Sequence, residues 1–374
     1  MQAGSTLAVF LIALTAFSQT NTNPQGQYDL ATTYDGSVLY FTSVPPGTQS
    51  SKIYRWSLTA GLTLFGDRPD LTKLRPYYGE HLYGTELTYS GAVLYHAEQL
   101  CPAPTGGNEP NNCGIGQTQV VDPNVPPFAL TGYLLVSPNG RYGVAESVAV
   151  PYGGSALWMD WLTGQQIEVN LKNQFLPNVG PPYAVNQHAV ANNGSFLITA
   201  PGGAGLVVWS PSGQIVLPQV NDRSIQITPG GSSAGPSISA DGSTVAFGTF
   251  VYNVAAFAAN PAASPVGFPQ PVSLSDDGRT VAYLSAYGGE PYHGVQAIVA
   301  NSDGTGARQI TNLPYGINSV LLSGDGHCLY VVAFASDSGN PGTQIHRYVL
   351  STGVHPKRRI SLPYKRVDII PLIP

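Results

Sequence analysis

The chain has 374 residues, only 10% of them charged, with a formal net charge of −5 and a pI near 5.7. That balance excludes a basic nucleic-acid-binding surface, because phosphate binding needs a positive field. Disorder is excluded as well, since 43% of the residues are hydrophobic and 10% aromatic, enough to bury a large core.

In chain order, residues 7–14 form an apolar run, LAVFLIAL, too short to span a bilayer. Ala16 and Ser18 follow as the small residues of a cleavage site, which predicts a signal peptide over 1–18 cut before Gln19. No Lys or Arg precedes the apolar run, a departure from the usual signal. The expected compartment is therefore the periplasm or the outside of the cell, with no membrane span once the signal is removed. Residues 19–374 are expected to form a single domain.

One pattern then recurs: a few apolar residues, a small residue, a two-residue Asp-Gly or Asn-Gly turn, and an alternating apolar strand. It appears as LATTYDGSVLYFT (30–42), LLVSPNGRYGVA (134–145), AVANNGSFLIT (189–199), PSISADGSTVAF (236–247), VSLSDDGRTVAYL (272–284) and VLLSGDGHCLYVV (320–332). A further copy, ELTYSGAVLYHA (86–97), has Ser90 in the turn position. Asp-Gly and Asn-Gly tolerate the positive φ of a tight hairpin, so each copy predicts two antiparallel strands. The turns fall at 35, 90, 139, 193, 241, 277 and 325, a spacing of 36 to 55 residues that matches propeller repeats. A second hairpin is expected at Gly61, Gly164, Gly213, Gly304 and Gly353. Two hairpins per period give a four-stranded blade, so the fold class is all-β: a single β-propeller of about seven blades of four antiparallel strands. No stretch shows a helical period with a cap and a stop.

Within this frame ANSDGTGARQIT (300–311), followed by SVLLSGDGHCLYVV, resembles the repeat of TolB-type, WD40-like propellers. RRISLPY (358–364) echoes RQITNLPY (308–315) as the fourth strand of that repeat, and residues 366–372 are expected to add one more strand beside the first blade. The resemblance is sharpest in the last two blades; the second and fifth are degenerate. It implies a propeller that serves as a binding or scaffolding module; no cofactor is expected.

Trp56, Trp161, Trp209 and Tyr348 recur just before the second turn of their blades, which predicts packing between blades. Cys101 and Cys113 bracket a loop without apolar content. A disulfide there would add roughly 3 kcal/mol in the chain-entropy model, whereas zinc lacks a nearby third ligand. Cys328 is expected to be a free, buried thiol. Gly231-Ser232-Ser233-Ala234-Gly235 spells a nucleophile elbow but would join two blades, so a loop is the better reading. The aspartates of the Asp-Gly turns, and Asn193-Gly194-Ser195, read as turn chemistry rather than calcium or glycosylation sites.

Sorting connections by end of the ring is more informative. The Asp-Gly turns share one end; the long, irregular links share the other and carry His81, Tyr183, His188, Tyr287, Glu290 and His293. Such loops on a rigid scaffold suit a carbohydrate, a peptide or another envelope or extracellular protein. Three histidines on this face leave a metal open as an alternative, though none is expected. A propeller-type hydrolase, lactonase or lyase with its site at this mouth is the alternative to a binding scaffold. No spacing resembles a catalytic constellation, so no catalytic residue is assigned.

Overall fold

The computed structural model describes residues 30–43, 52–66, 79–88, 93–102, 110–112, 117–121, 128–131, 134–146, 155–170, 186–200, 205–217, 237–269, 272–285, 295–334, 343–350 and 366–370. These residues form seven antiparallel sheets that follow one another in chain order. The first holds β1 (Leu30–Thr32), β2 (Val38–Ser43), β3 (Lys52–Ser57) and β4 (Gly61–Gly66). The second is five-stranded: β5 (Gly79–Leu87), β6 (Val93–Pro102), β8 (Gln117–Val121) and β9 (Phe128–Thr131), with β7 (Pro110–Asn112) on β6. The third holds β10 (Leu134–Val136), β11 (Tyr142–Glu146), β12 (Ser155–Asp160) and β13 (Gln165–Asn170). The fourth holds β14 (Asn186–Val190), β15 (Phe196–Ala200), β16 (Gly205–Ser210) and β17 (Gly213–Leu217).

In the fifth sheet are β18 (Ser237–Ile238), β19 (Thr244–Phe247), β20 (Phe250–Asn253) and β21 (Val266–Gly267). The sixth contains β22 (Val272–Leu274), β23 (Thr280–Ser285), β24 (Gln296–Asn301) and β25 (Arg308–Gln309). The seventh contains β26 (Ile317–Leu322), β27 (Cys328–Phe334), β28 (Thr343–Val349) and β29 (Arg366–Ile370).

First strands of neighbouring sheets touch one another (β10 with β14, β14 with β18, β18 with β22, β22 with β26), which makes them the inner strands of a ring. The apolar core lies between sheets rather than within one. Leu135, Trp158, Phe196 and Trp209 join the third sheet to the fourth, and Leu197, Val208, Val245 and Tyr252 join the fourth to the fifth. Similar clusters join the fifth to the sixth and the sixth to the seventh. The last cluster packs Tyr330, Val332 and Ile345 of the seventh sheet on Leu39, Phe41 and Trp56 of the first. The last sheet thus packs on the first, and the fold is a β-propeller. Burial on both faces explains why β27 is buried at every position but its last: each blade is sandwiched between two others.

Four expectations need correction. First, a short helix, α1 (Val254–Ala259), interrupts the fifth sheet, capped by Asn253, whose side chain accepts from the Ala256 N–H at 3.0 Å. Its Val254 and Phe257 fill the gap between the fourth and fifth sheets, so packing made a helix of a segment too short to show a period. Second, Trp161 is 47% exposed, and Trp158 takes the packing role instead, 2% exposed with Nε1–H donating to the Gly194 carbonyl at 2.8 Å. Third, the fourth described strand of the seventh sheet is β29, at residues expected to lie beside the first blade instead; 358–364 and Gly353 lie outside the described residues. Fourth, β29 pairs β28 of its own sheet and adds no strand to the first. The two sheets meet through side chains.

Candidate functional site

At one end of the ring five of the six described first-to-second-strand turns use the same chemistry, the fourth sheet having Ala191 in place of the hydroxyl. In the sixth sheet, the Ser275 hydroxyl donates to Asp277 Oδ1 at 2.6 Å and accepts from the Thr280 N–H at 3.0 Å, while the Arg279 N–H reaches Asp277 Oδ1 at 3.0 Å. Ser137, Ser239 and Ser323 repeat this with Asn139, Asp241 and Asp325, and Thr33 does so with Asp35. The glycine that follows takes a positive φ, +71° at Gly278, which a side chain would resist. Turn chemistry therefore occupies the acidic oxygens. Burial alone would raise the Asp35 and Asp241 carboxyls. Hydrogen bonds from Thr33 and Ser37, and from Ser239 and Ser243, hold both below the ordinary carboxylate value. Just behind the third turn, a bidentate hydrogen bond from Arg141 (3.0 and 2.7 Å) keeps Asp160 well below the carboxylate range.

These turns are also tied to one another by a belt of backbone hydrogen bonds. The N–H of Asn192 donates to Ala240 O at 2.6 Å, Ala240 to Asp276 O at 2.7 Å, and Asp276 to Gly324 O at 2.9 Å. The Asp325 N–H donates to Tyr34 O at 2.9 Å and carries the belt from the last sheet to the first. Pro138 has no N–H to give. There the Asn139 N–H donates to Asn192 Oδ1 at 2.7 Å and its amide to Asn192 O at 3.3 Å. A similar amide donor, Asn193 Nδ2, reaches Asp241 O at 2.7 Å, which is why Asn193-Gly194-Ser195 is a structural turn.

Where the ring closes, the Gly36 carbonyl accepts from Tyr330 Oη at 2.9 Å and from Arg347 Nε at 3.0 Å. Arg347 Nη2 also donates to Cys328 Sγ at 3.1 Å, and the thiol donates to Asp35 O at 3.7 Å. Cys328 is free and buried, as expected from its strand. Its neighbours make it part of a polar junction rather than a bare hydrophobe, a role the pattern HCLYVV does not reveal. Burial pushes the Tyr330 phenol up to about 12, so it stays a neutral donor.

The link end holds the sequence-derived candidates. His81 is the third residue of β5, across from Glu98 on β6. His188 is the third residue of β14, at the point where the pairing with β15 slips between Gln187 and Ala189. Both therefore stand where an inner strand leaves the link end. Tyr183, Tyr287, Glu290 and His293 lie outside the described residues, as do Cys113, the signal segment and 231–235. Cys101 stands on β6 opposite Asn111 of β7, two residues short of Cys113.

One anchor of this end escaped sequence reading. Gln296, the first residue of β24 and 4% exposed, accepts at Oε1 from the Thr311 hydroxyl (2.8 Å) and the Leu313 N–H (2.9 Å). Its amide donates to Leu313 O at 2.8 Å. The clamp fixes the strand that follows the segment carrying Tyr287, Glu290 and His293 to the connection into the seventh sheet. Thr311 is legible as the threonine of RQIT; Gln296 belongs to no motif.

No protein-family model matches the chain, and no curated protein matches it. Among solved structures, the crystal structure of TolB from Acinetobacter baumannii is similar at 12% identity and a TM-score of 0.41, over 85% of this chain and 62% of that one. The chain thus spans less than two thirds of that protein's length. The propeller assignment rests on the chain's own sheet order, inter-sheet cores and closing contacts. Among the described residues no helix is long and apolar enough to cross a membrane.

Proposed function

We propose that this chain is an exported β-propeller that works as a binding or protein-interaction scaffold in the periplasm or outside the cell. Its ligand, a carbohydrate, a peptide or another envelope protein, is taken at the link end of the ring. The observation that carries this reading is the contrast between the two ends. At the turn end the polar groups are spent on one another: serines on aspartates, amides on carbonyls, sheet after sheet. A surface built from one repeated turn offers little from which to make specificity. The links differ in length and sequence from sheet to sheet and bring Tyr, His and Glu to Gly- and Pro-shaped segments, the composition of a polar-ligand site.

A thermal-shift screen of the purified protein against glycans and peptides tests the proposal, because a ligand that binds only the folded state raises Tm. The expected result is a concentration-dependent rise with at least one class. A flat panel, with turnover of an ester or lactone substrate instead, would overturn the scaffold reading.

A further inference from the structure

Every neighbouring pair of sheets is joined by the chain itself, except the seventh and the first. We infer that this seam is where the ring opens, the first sheet swinging off the seventh while the remaining sheets stay folded. Among the described residues no strand is shared across it: β1 pairs β2, and β29 pairs β28. Four of its polar contacts converge on one short stretch of backbone, the carbonyls of Tyr34, Asp35 and Gly36. These receive the Asp325 N–H, the Cys328 thiol, the Tyr330 hydroxyl and Arg347 Nε. Losing that turn releases all four at once, the behaviour of a cooperative local opening.

Three features mark the seam. The belt steps out of register there, as it does at Pro138, the donor being the residue after Gly324 rather than Gly324 itself. Arg347, only 5% exposed, spends one nitrogen on a thiol, a weak acceptor for a buried cation. The turn is packed as closely as those at other junctions: a Cβ on Gly36 would lie 2.4 Å from Cys328 Cβ, and one on Gly242 2.5 Å from Asn193 Nδ2.

The Tyr330–Gly36 bond joins residues 294 apart in sequence, with no chain connection running directly between their two sheets.

The test is hydrogen exchange resolved to single amides on the full-length protein, corrected for intrinsic rates. The amides of Asp325, Asp276 and Ala240 make the same kind of belt bond, but only that of Asp325 crosses the seam. The inference predicts that Asp325 exchanges severalfold faster than the other two. It also predicts that alkylation of Cys328, located by peptide mapping, follows denaturant with a shallower slope than global unfolding. Arg347→Lys should speed both. Equal exchange at all three amides, with Cys328 reacting only along the global unfolding slope, would overturn it.

Discussion

Asparagine replaces aspartate at two described turns, Asn139 and Asn193, and in both the side-chain amide donates to a carbonyl on the next sheet. A carboxylate keeps the acceptor half of this chemistry and loses the donor half. Asn139→Asp should therefore destabilise the protein by about 1 kcal/mol, the usual net worth of one hydrogen bond, read as a lower urea midpoint at unchanged slope. No change would mean that the belt bond at the proline turn contributes nothing. Protonation is the other lever at this scale. Asp35, Asp241 and Asp303 have carboxyls held below their ordinary value in the folded state, Asp303 chiefly by the hydroxyl of Thr305. Their contribution is present above the unfolded carboxylate pKa of about 4 and drains as pH falls through the folded values. Unfolding free energy should be flat between about pH 5 and 8 and fall below that, less steeply in Asp241→Asn. A profile as steep in that variant as in the parent would contradict the assignment.

Among the elements, the strands and turns were legible because Asp-Gly and Asn-Gly fix hairpins locally, and alternation fixes the strands on either side. What was not legible was decided by packing across sheets. Trp161 and Trp158 stand three residues apart in one strand-turn segment, and sequence spacing favoured the wrong one. Trp158 is buried between the third and fourth sheets beside Trp209, while Trp161 lies outside over Gly143. Trp158→Ala should cost about 3–5 kcal/mol, as large-to-small core changes do, and Trp161→Ala much less; equal losses in denaturant melts would refute this. α1 was missed for the same reason, since VAAFAA earns its helix from the groove that Val254 and Phe257 fill. β29 was expected at the right place with the wrong partner. Its pairing with β28 sets Asp368 opposite Arg347, so deleting residues 364–374 uncovers the seventh sheet and weakens the seam from behind. The melting temperature of the whole domain should fall. An unchanged melt would make the segment a mere tail.

Across the whole molecule the ring divides the labour between its ends. The turn end is a structural hoop: short, similar turns, a belt of amides, and a closing bond from the last sheet to the first. The link end carries the variable chemistry, and there sequence reading reached the candidates without their geometry, because link conformation depends on neighbouring blades rather than on local turn rules. His81 and His188 enter the described strands at that end, and Gln296 anchors it from beneath. The central claim is that binding belongs to this end. It is tested most directly by titrating the ligand found in the thermal-shift screen into His188→Ala, His293→Ala and the turn variant Asp277→Asn, each shown to be folded by circular dichroism. The account predicts that one or both histidine variants lose about tenfold or more in affinity, a change of 1.4 kcal/mol, while Asp277→Asn binds as the parent does. Loss of binding in Asp277→Asn alone, with both histidine variants unaffected, would place the site at the opposite end and contradict it.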